Sequence, residues 1–177
     1  MQFHPGEKKY QITSLNETVV RSYLDDVETN YTSSLGITDI TSPPPDCPPN
    51  RLVVVRIDGR PVGSSQVFES SIERPIKCVI KKDGSCKVDY KMERWVQAEA
   101  EPNAFTPRRY TQLLQVQFEN LLGGDQEVNV KFTEDGTNWK TERLSQGTLR
   151  EVARLEDCKP RVQAFDYRIL APLTVGR

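Results

Sequence analysis

A serine or cysteine nucleophile needs a base within hydrogen-bond reach, and the chain holds a single imidazole, His4, to supply one. The 25 Asp and Glu residues would allow a paired-carboxylate hydrolase, but most fall in turns and on strand faces, where solvated charge is the default. No glycine-rich phosphate loop opens a helix. Gly59 and Gly123-Gly124 stand at hairpin bends, where a positive φ is reason enough for glycine. Cys47, Cys78, Cys86 and Cys158 are separated by 31, 8 and 72 positions, without the short cysteine knuckle of a zinc site. These absences predict a chain that is not an enzyme and carries no cofactor and no metal.

The cysteines also bear on compartment. Cys78 and Cys86 flank Lys81-Lys82-Asp83-Gly84, which reads as a hairpin turn. A two-residue Asp-Gly loop would set Cys78 opposite Asp89 rather than Cys86, so hairpin register argues against a bridge, and four free thiols are expected. The first residues hold no signal-peptide core and no Arg-rich transit pattern, which predicts an intracellular setting, cytoplasm or nucleus. An extracellular setting is the expectation if the chain is an excised domain, and the sequons at Asn16 and Asn30 lean that way.

Recognition is the class that remains. Arg74, Lys77, Lys81 and Lys82 form one basic cluster, extended by Lys87, Lys91 and Arg94. Arg108 and Arg109 beside Tyr110 form a second, in which neighbouring guanidiniums suit a phosphate or a guanine edge. Trp139, just past the turn 134–138, is the third candidate, as an exposed aromatic for a sugar or lipid headgroup. The plain alternatives are solvated basic loops for the first two and a core tryptophan for the last. Formal net charge is only -1, from 24 bases and 25 acids, which lacks the basic excess of a dedicated nucleic-acid domain. That neutrality is a cancellation: residues 1–50 hold 3 bases and 7 acids, whereas 51–177 hold 21 bases and 18 acids.

The elements that must position these groups differ along the chain. Ser14-Leu15-Asn16-Glu17 reads as a capping box, and Leu15, Val19, Val20, Tyr23, Leu24 and Val27 recur at helical spacing. An amphipathic helix is therefore expected within residues 1–30, with Val20, Tyr23, Leu24 and Val27 as its interface. Residues 31–50 hold five of the 12 prolines and read as a Ser/Thr/Pro-rich connector. From residue 51 to 177, short β-branched or alternating runs separated by Asp-Gly and Gly-Gly turns predict seven or eight strands. The expected fold is mostly β: an antiparallel β-sandwich of the immunoglobulin-like, Greek-key kind, with the helix in front of it. No run of apolar residues is long enough to span a membrane as a helix. The expected function is recognition of a protein partner through the end loops and the helix. DNA binding through the Arg-bearing loops is the second reading, and an extracellular carbohydrate-binding or adhesion module the third.

Overall fold

The computed structural model describes residues 2–21, 41–69, 71–81, 84–99, 104–107, 110–124, 126–162 and 164–171, together with the backbone of 29–37. Strands make up 63% of the described residues and helix none, so the chain is mostly β, with antiparallel pairing throughout the registers described. Thirteen strands are found among those residues: β1 (Gln2–His4), β2 (Lys9–Arg21), β3 (Thr29–Ile37), β4 (Asn50–Ile57), β5 (Arg60–Pro61), β6 (Gln66–Phe68), β7 (Ile72–Ile80), β8 (Ser85–Gln97), β9 (Thr111–Glu119), β10 (Val128–Thr133), β11 (Lys140–Leu144), β12 (Leu149–Cys158) and β13 (Asp166–Ile169). No helix among the described residues is long and apolar enough to cross a membrane.

The expected N-terminal helix is not formed. Ser14 to Arg21, where it was to begin, belong to β2, while Tyr23, Leu24 and Val27 lie outside the described residues. Tyr10 and Ile12 start a two-residue alternation of buried positions, and β-branched Ile12, Thr13, Thr18, Val19 and Val20 favour an extended backbone. The capping box yields because β2 pairs with β8, and tertiary pairing outweighs the local stabilisation of one helical cap. The consequence is a change of faces. Leu15 and Val19, counted with Val20 on one helical stripe, point outward at 78% and 51% exposure, and Val20 alone packs on the core.

The chain forms two compact units, residues 11–96 and residues 1–10 with 97–177. In the first, strand order runs β2-β8-β4-β5 with β6 also on β4, while β3 pairs with β7 along nine positions from Thr29↔Ile80 to Ile37↔Ile72. β7 and β8, expected to pair as a hairpin, instead belong to different sheets. Burial explains the difference: Ile72, Ile76 and Ile80 of β7 and Cys86, Val88 and Met92 of β8 enter one apolar cluster with Leu52, Val55 and Phe68. A hairpin would lay those two sets side by side, whereas facing sheets bury each against the other, at about 1.5–3 kcal/mol for each large side chain enclosed. A bulge between Leu52 and Val54 lets both Leu52 and Val55 point inward.

The Pro-rich segment 41–49 lies over Trp95. The indole Nε1 donates to the Pro48 carbonyl at 2.8 Å, and Thr41 bridges to Trp95. Behind it sits Asn50, with no solvent exposure. Its Oδ1 accepts from the Trp95 backbone N–H at 2.8 Å, and its Nδ2 donates to the carbonyls of Thr41 and Glu69 at 3.0 and 3.1 Å.

In the second unit, β11-β10-β13 form one sheet and β12-β9 another, and Phe132, Ala153 and Phe165 share a cluster with Leu114, Val116 and Phe118. A second buried amide, Asn120, donates to the Gln126 and Leu144 carbonyls and accepts from the Leu122 N–H. Tyr10 is enclosed here as well: its hydroxyl donates to the Leu170 carbonyl, and burial, then Glu99, pushes the phenol above its ordinary range.

Asn50→Ala is expected to cost about 3 kcal/mol, because it strands one buried N–H and two carbonyls at about 1–3 kcal/mol for each unsatisfied group. Urea unfolding followed by Trp95 fluorescence in a Trp139→Phe background measures it; a loss below about 1 kcal/mol would remove the amide from its central role.

Candidate functional site

Four cations of β4 and β8, Arg51, Arg56, Lys87 and Lys91, are matched by acids of their own sheet. Arg51 and Arg56 stand directly opposite Glu93 and Asp89 in the ladder and contact them at 2.8 and 3.0 Å. Lys91 reaches Glu93 at 3.3 Å, and Lys87 reaches Glu17 of β2 at 2.8 Å. The Arg51 guanidinium, with Lys91 beside it, holds the Glu93 carboxyl below its ordinary value. Pairs this exposed contribute little stability, about 0–1 kcal/mol each. Their effect is to leave that surface with its charges already satisfied.

The outer face of β7 is different. Alternation sends Ile72, Ile76 and Ile80 inward and leaves Glu73, Pro75, Lys77, Val79 and Lys81 exposed along 73–81. Lys77 and Lys81 flank Val79, which is 51% exposed, and among the described residues neither lysine has an ion pair. They are separated by about 13 Å at the strand rise of about 3.3 Å per residue. Among the described residues β7 has one ladder partner, β3. Pro75, which has no N–H to give, fits such an edge position.

Arg74, grouped with these lysines by sequence, points elsewhere. Its guanidinium donates to the carbonyls of Val62 and Ser64 at 3.1 and 3.3 Å and so holds the loop after β5. Gly63 makes room for it: its φ is +74°, and a Cβ there would fall 1.6 Å from Arg74 Nη2. The signal for this latch was a Gly in a turn-rich run, which reports the backbone but not the guanidinium that fills the space. Lys82, Arg108 and Arg109 lie outside the described residues. Tyr110 is 53% exposed and its hydroxyl bonds the Asp157 carboxylate.

Trp139 is half-buried in the second unit. Arg168 lies 4.9 Å and Lys131 5.6 Å from its ring centre, and these two cations are themselves ladder partners on β13 and β10. A ring already in contact with two cations offers less open face for sugar stacking. The preceding turn is built on Asp135. Its Oδ1 accepts from the N–H groups of Asn138 and Thr137 at 2.7 and 2.8 Å and from Thr133 Oγ1 at 2.9 Å, and Oδ2 accepts from Asn138 Nδ2 at 2.6 Å. Those bonds, the Asn138 N–H first, hold the carboxyl well below the usual carboxylate range. The acid is thereby committed to shaping the turn.

Among the described residues no group of three or more His, Cys, Asp and Glu is placed to hold a metal ion. His4 Nδ1 accepts the Glu7 N–H at 3.3 Å within the first turn. No protein-family model, curated protein or solved structure matches the chain.

Two measurements test the local geometry. Arg74→Ala is expected to lower stability by about 1 kcal/mol and Gly63→Ala by about 1–3 kcal/mol. The double variant should fall short of the sum by about 1 kcal/mol, because either change alone breaks the same latch; strict additivity in urea denaturation would show that the two residues act separately. Because the folded Asp135 carboxyl titrates below its unfolded value of about 3.9, its stabilisation is complete above that pH and is lost as pH falls further. Asp135→Asn should therefore be less stable than wild type at pH 7 yet lose less on acidification, as thermal melts across the acid range would read.

Proposed function

We propose that the chain is a non-enzymatic recognition module that binds an extended acidic segment of a protein partner along the free edge and outer face of β7. The observation that carries this reading is Lys77 and Val79 on the exposed face of β7 with exposed Lys81 just past its end, both lysines free of ion pairs among the described residues while Arg51, Arg56, Lys87 and Lys91 of β4 and β8 are paired. In an added strand every second side chain faces the same way, so a partner with acids at positions j and j+4 and an apolar residue at j+2 matches the three residues. Each cross-strand pair contributes about 0.2–1 kcal/mol. The same lysines disfavour self-association, since two copies of β7 meeting edge to edge and antiparallel about Val79 would set lysine against lysine.

In this reading each unit is a small antiparallel sandwich that acts as a rigid support for its strand faces. The cluster shared by β7, β4 and β8 supports this for residues 11–96, and the cluster shared by β9, β10 and β12 supports it for the other unit. DNA binding is the weaker reading, because the Arg74 guanidinium is engaged by its own chain.

Fluorescence anisotropy with a labelled Glu-Ser-Val-Ser-Glu peptide tests the assignment. Binding should weaken about tenfold, or about 1.4 kcal/mol, in a Lys77→Glu/Lys81→Glu variant, and a peptide with the same residues in scrambled order should bind more weakly. Equal affinity for the scrambled peptide, or no loss in the double variant, would refute it. So would tighter binding of a duplex oligonucleotide with a steep salt dependence.

A further inference from the structure

We infer that β9 is a self-association edge: two copies of this chain pair β9 with β9, antiparallel about Val116, and join their two-stranded sheets into one sheet of four strands. Among the described residues β9 has one ladder partner, β12, so its other edge presents backbone N–H and C=O groups to a further strand. The two strands of this sheet are protected very differently. β12 carries exposed Arg150, Glu151, Arg154, Glu156 and Asp157, a bulge between Glu151 and Ala153, and a left-handed backbone at Asp157 with φ of +54°. Charges and bulges are the devices that keep an edge strand from pairing with another chain. β9 lacks both. It has no lysine and no proline, its exposed and half-buried residues alternate from Leu113 to Glu119 without a break, and Glu119 at its end is its one charge.

The residues of β9 also select the partner, because the strand is complementary to itself. Turned antiparallel about Val116, Leu114 meets Phe118 of the other copy and Val116 meets Val116, while on the outer face Gln115 stands opposite Gln117 and Leu113 opposite Glu119. No like charges oppose each other, and an aromatic ring faces an aliphatic side chain at two places related by the two-fold axis. A register centred on Gln115 would instead set Gln112 against Phe118, so the pattern favours Val116 as the centre. Leu114, Val116 and Phe118 pack against the cluster of Phe132, Ala153 and Phe165 yet stay half-buried. The added strand covers their open side and continues that core from one copy to the next. The same operation on β7 sets lysine against lysine, so self-pairing falls to β9 and β7 stays open to other chains.

Sedimentation velocity on the full chain should show the mass rising from 20.2 kDa towards twice that value as concentration increases through about two decades. Hydrogen exchange read by mass spectrometry should show the amides of 111–119 slowing with concentration while those of 72–80 do not change. Gln115→Lys/Gln117→Lys alters two exposed positions, keeps a donor for the Glu151 carboxylate that Gln115 bonds, and opposes lysine to lysine across the pair. It should weaken association about tenfold. A monomer at every concentration would overturn the assignment, as would a dimer whose concentration-dependent protection lies outside 111–119, or a folded double variant that associates as wild type does. Protection of 111–119 that is complete at every concentration would mean that the chain covers this edge itself, and would overturn it too. The wild-type measurements are decisive by themselves, so instability of the double variant would not obscure the result.

Discussion

The Asn50 amide bonds to the Trp95 N–H and to the carbonyls of Thr41 and Glu69, and the face of the β4–β8 sheet is organised around that point. A buried amide is costly unless satisfied, and here three backbone groups satisfy it. The odd-numbered face of β8 consequently changes character along its length. From Lys87 to Glu93 it carries ion-paired charges open to water, and at Trp95 it becomes core, covered by the segment 41–49. The prolines there remove backbone donors that would otherwise need partners and hold the covering chain extended. Asn120 does the same work between the Gln126 and Leu144 carbonyls, so each unit closes one end of its sheet by the same chemical device.

With the interior closed, what distinguishes the surfaces is how far their charges are already matched. Arg51 and Arg56 of β4 meet acids of β8 placed opposite them by register, and Lys87 and Lys91 of β8 are paired as well. Arg74 is spent on a loop and Arg168 on an indole ring. Lys77 and Lys81 differ in that β7 sends its own neighbours on that face, Val79 and Pro75, outward without an acid between them. A binding face in this molecule is thus a remainder. It is what is left beside a neighbouring sheet in which Arg51, Arg56, Lys87 and Lys91 are already paired.

The inner and outer faces of β7 place core and surface on one strand. Cys78 lies between Lys77 and Val79 in sequence yet faces the opposite way, because successive side chains of a strand alternate. A residue on the recognition face and a residue in the core are therefore covalent neighbours, while their environments differ as much as water and hydrocarbon.

The β-rich class and the turns at Asp58-Gly59 and at 134–138 were legible from local pattern, because a period of two and a turn residue are properties of a few adjacent positions. The same kind of pattern misled at 14–21, where Leu15, Val19 and Val20 fit a helix as well as a strand; propensity differences of a fraction of a kcal/mol per residue are overridden once β8 supplies a ladder. Of the candidate site, sequence identified Lys77 and Lys81 as basic but could not separate them from Arg74, Lys87 or Lys91, since whether a cation is paired depends on residues far away in the chain. Sequence alone determined that the chain from residue 51 onward is built of short strands separated by turns. Only tertiary structure decided that β7 and β8 lie in different sheets rather than pair and which lysines remain unmatched, because sheet pairing and core closure join positions that no local periodicity relates.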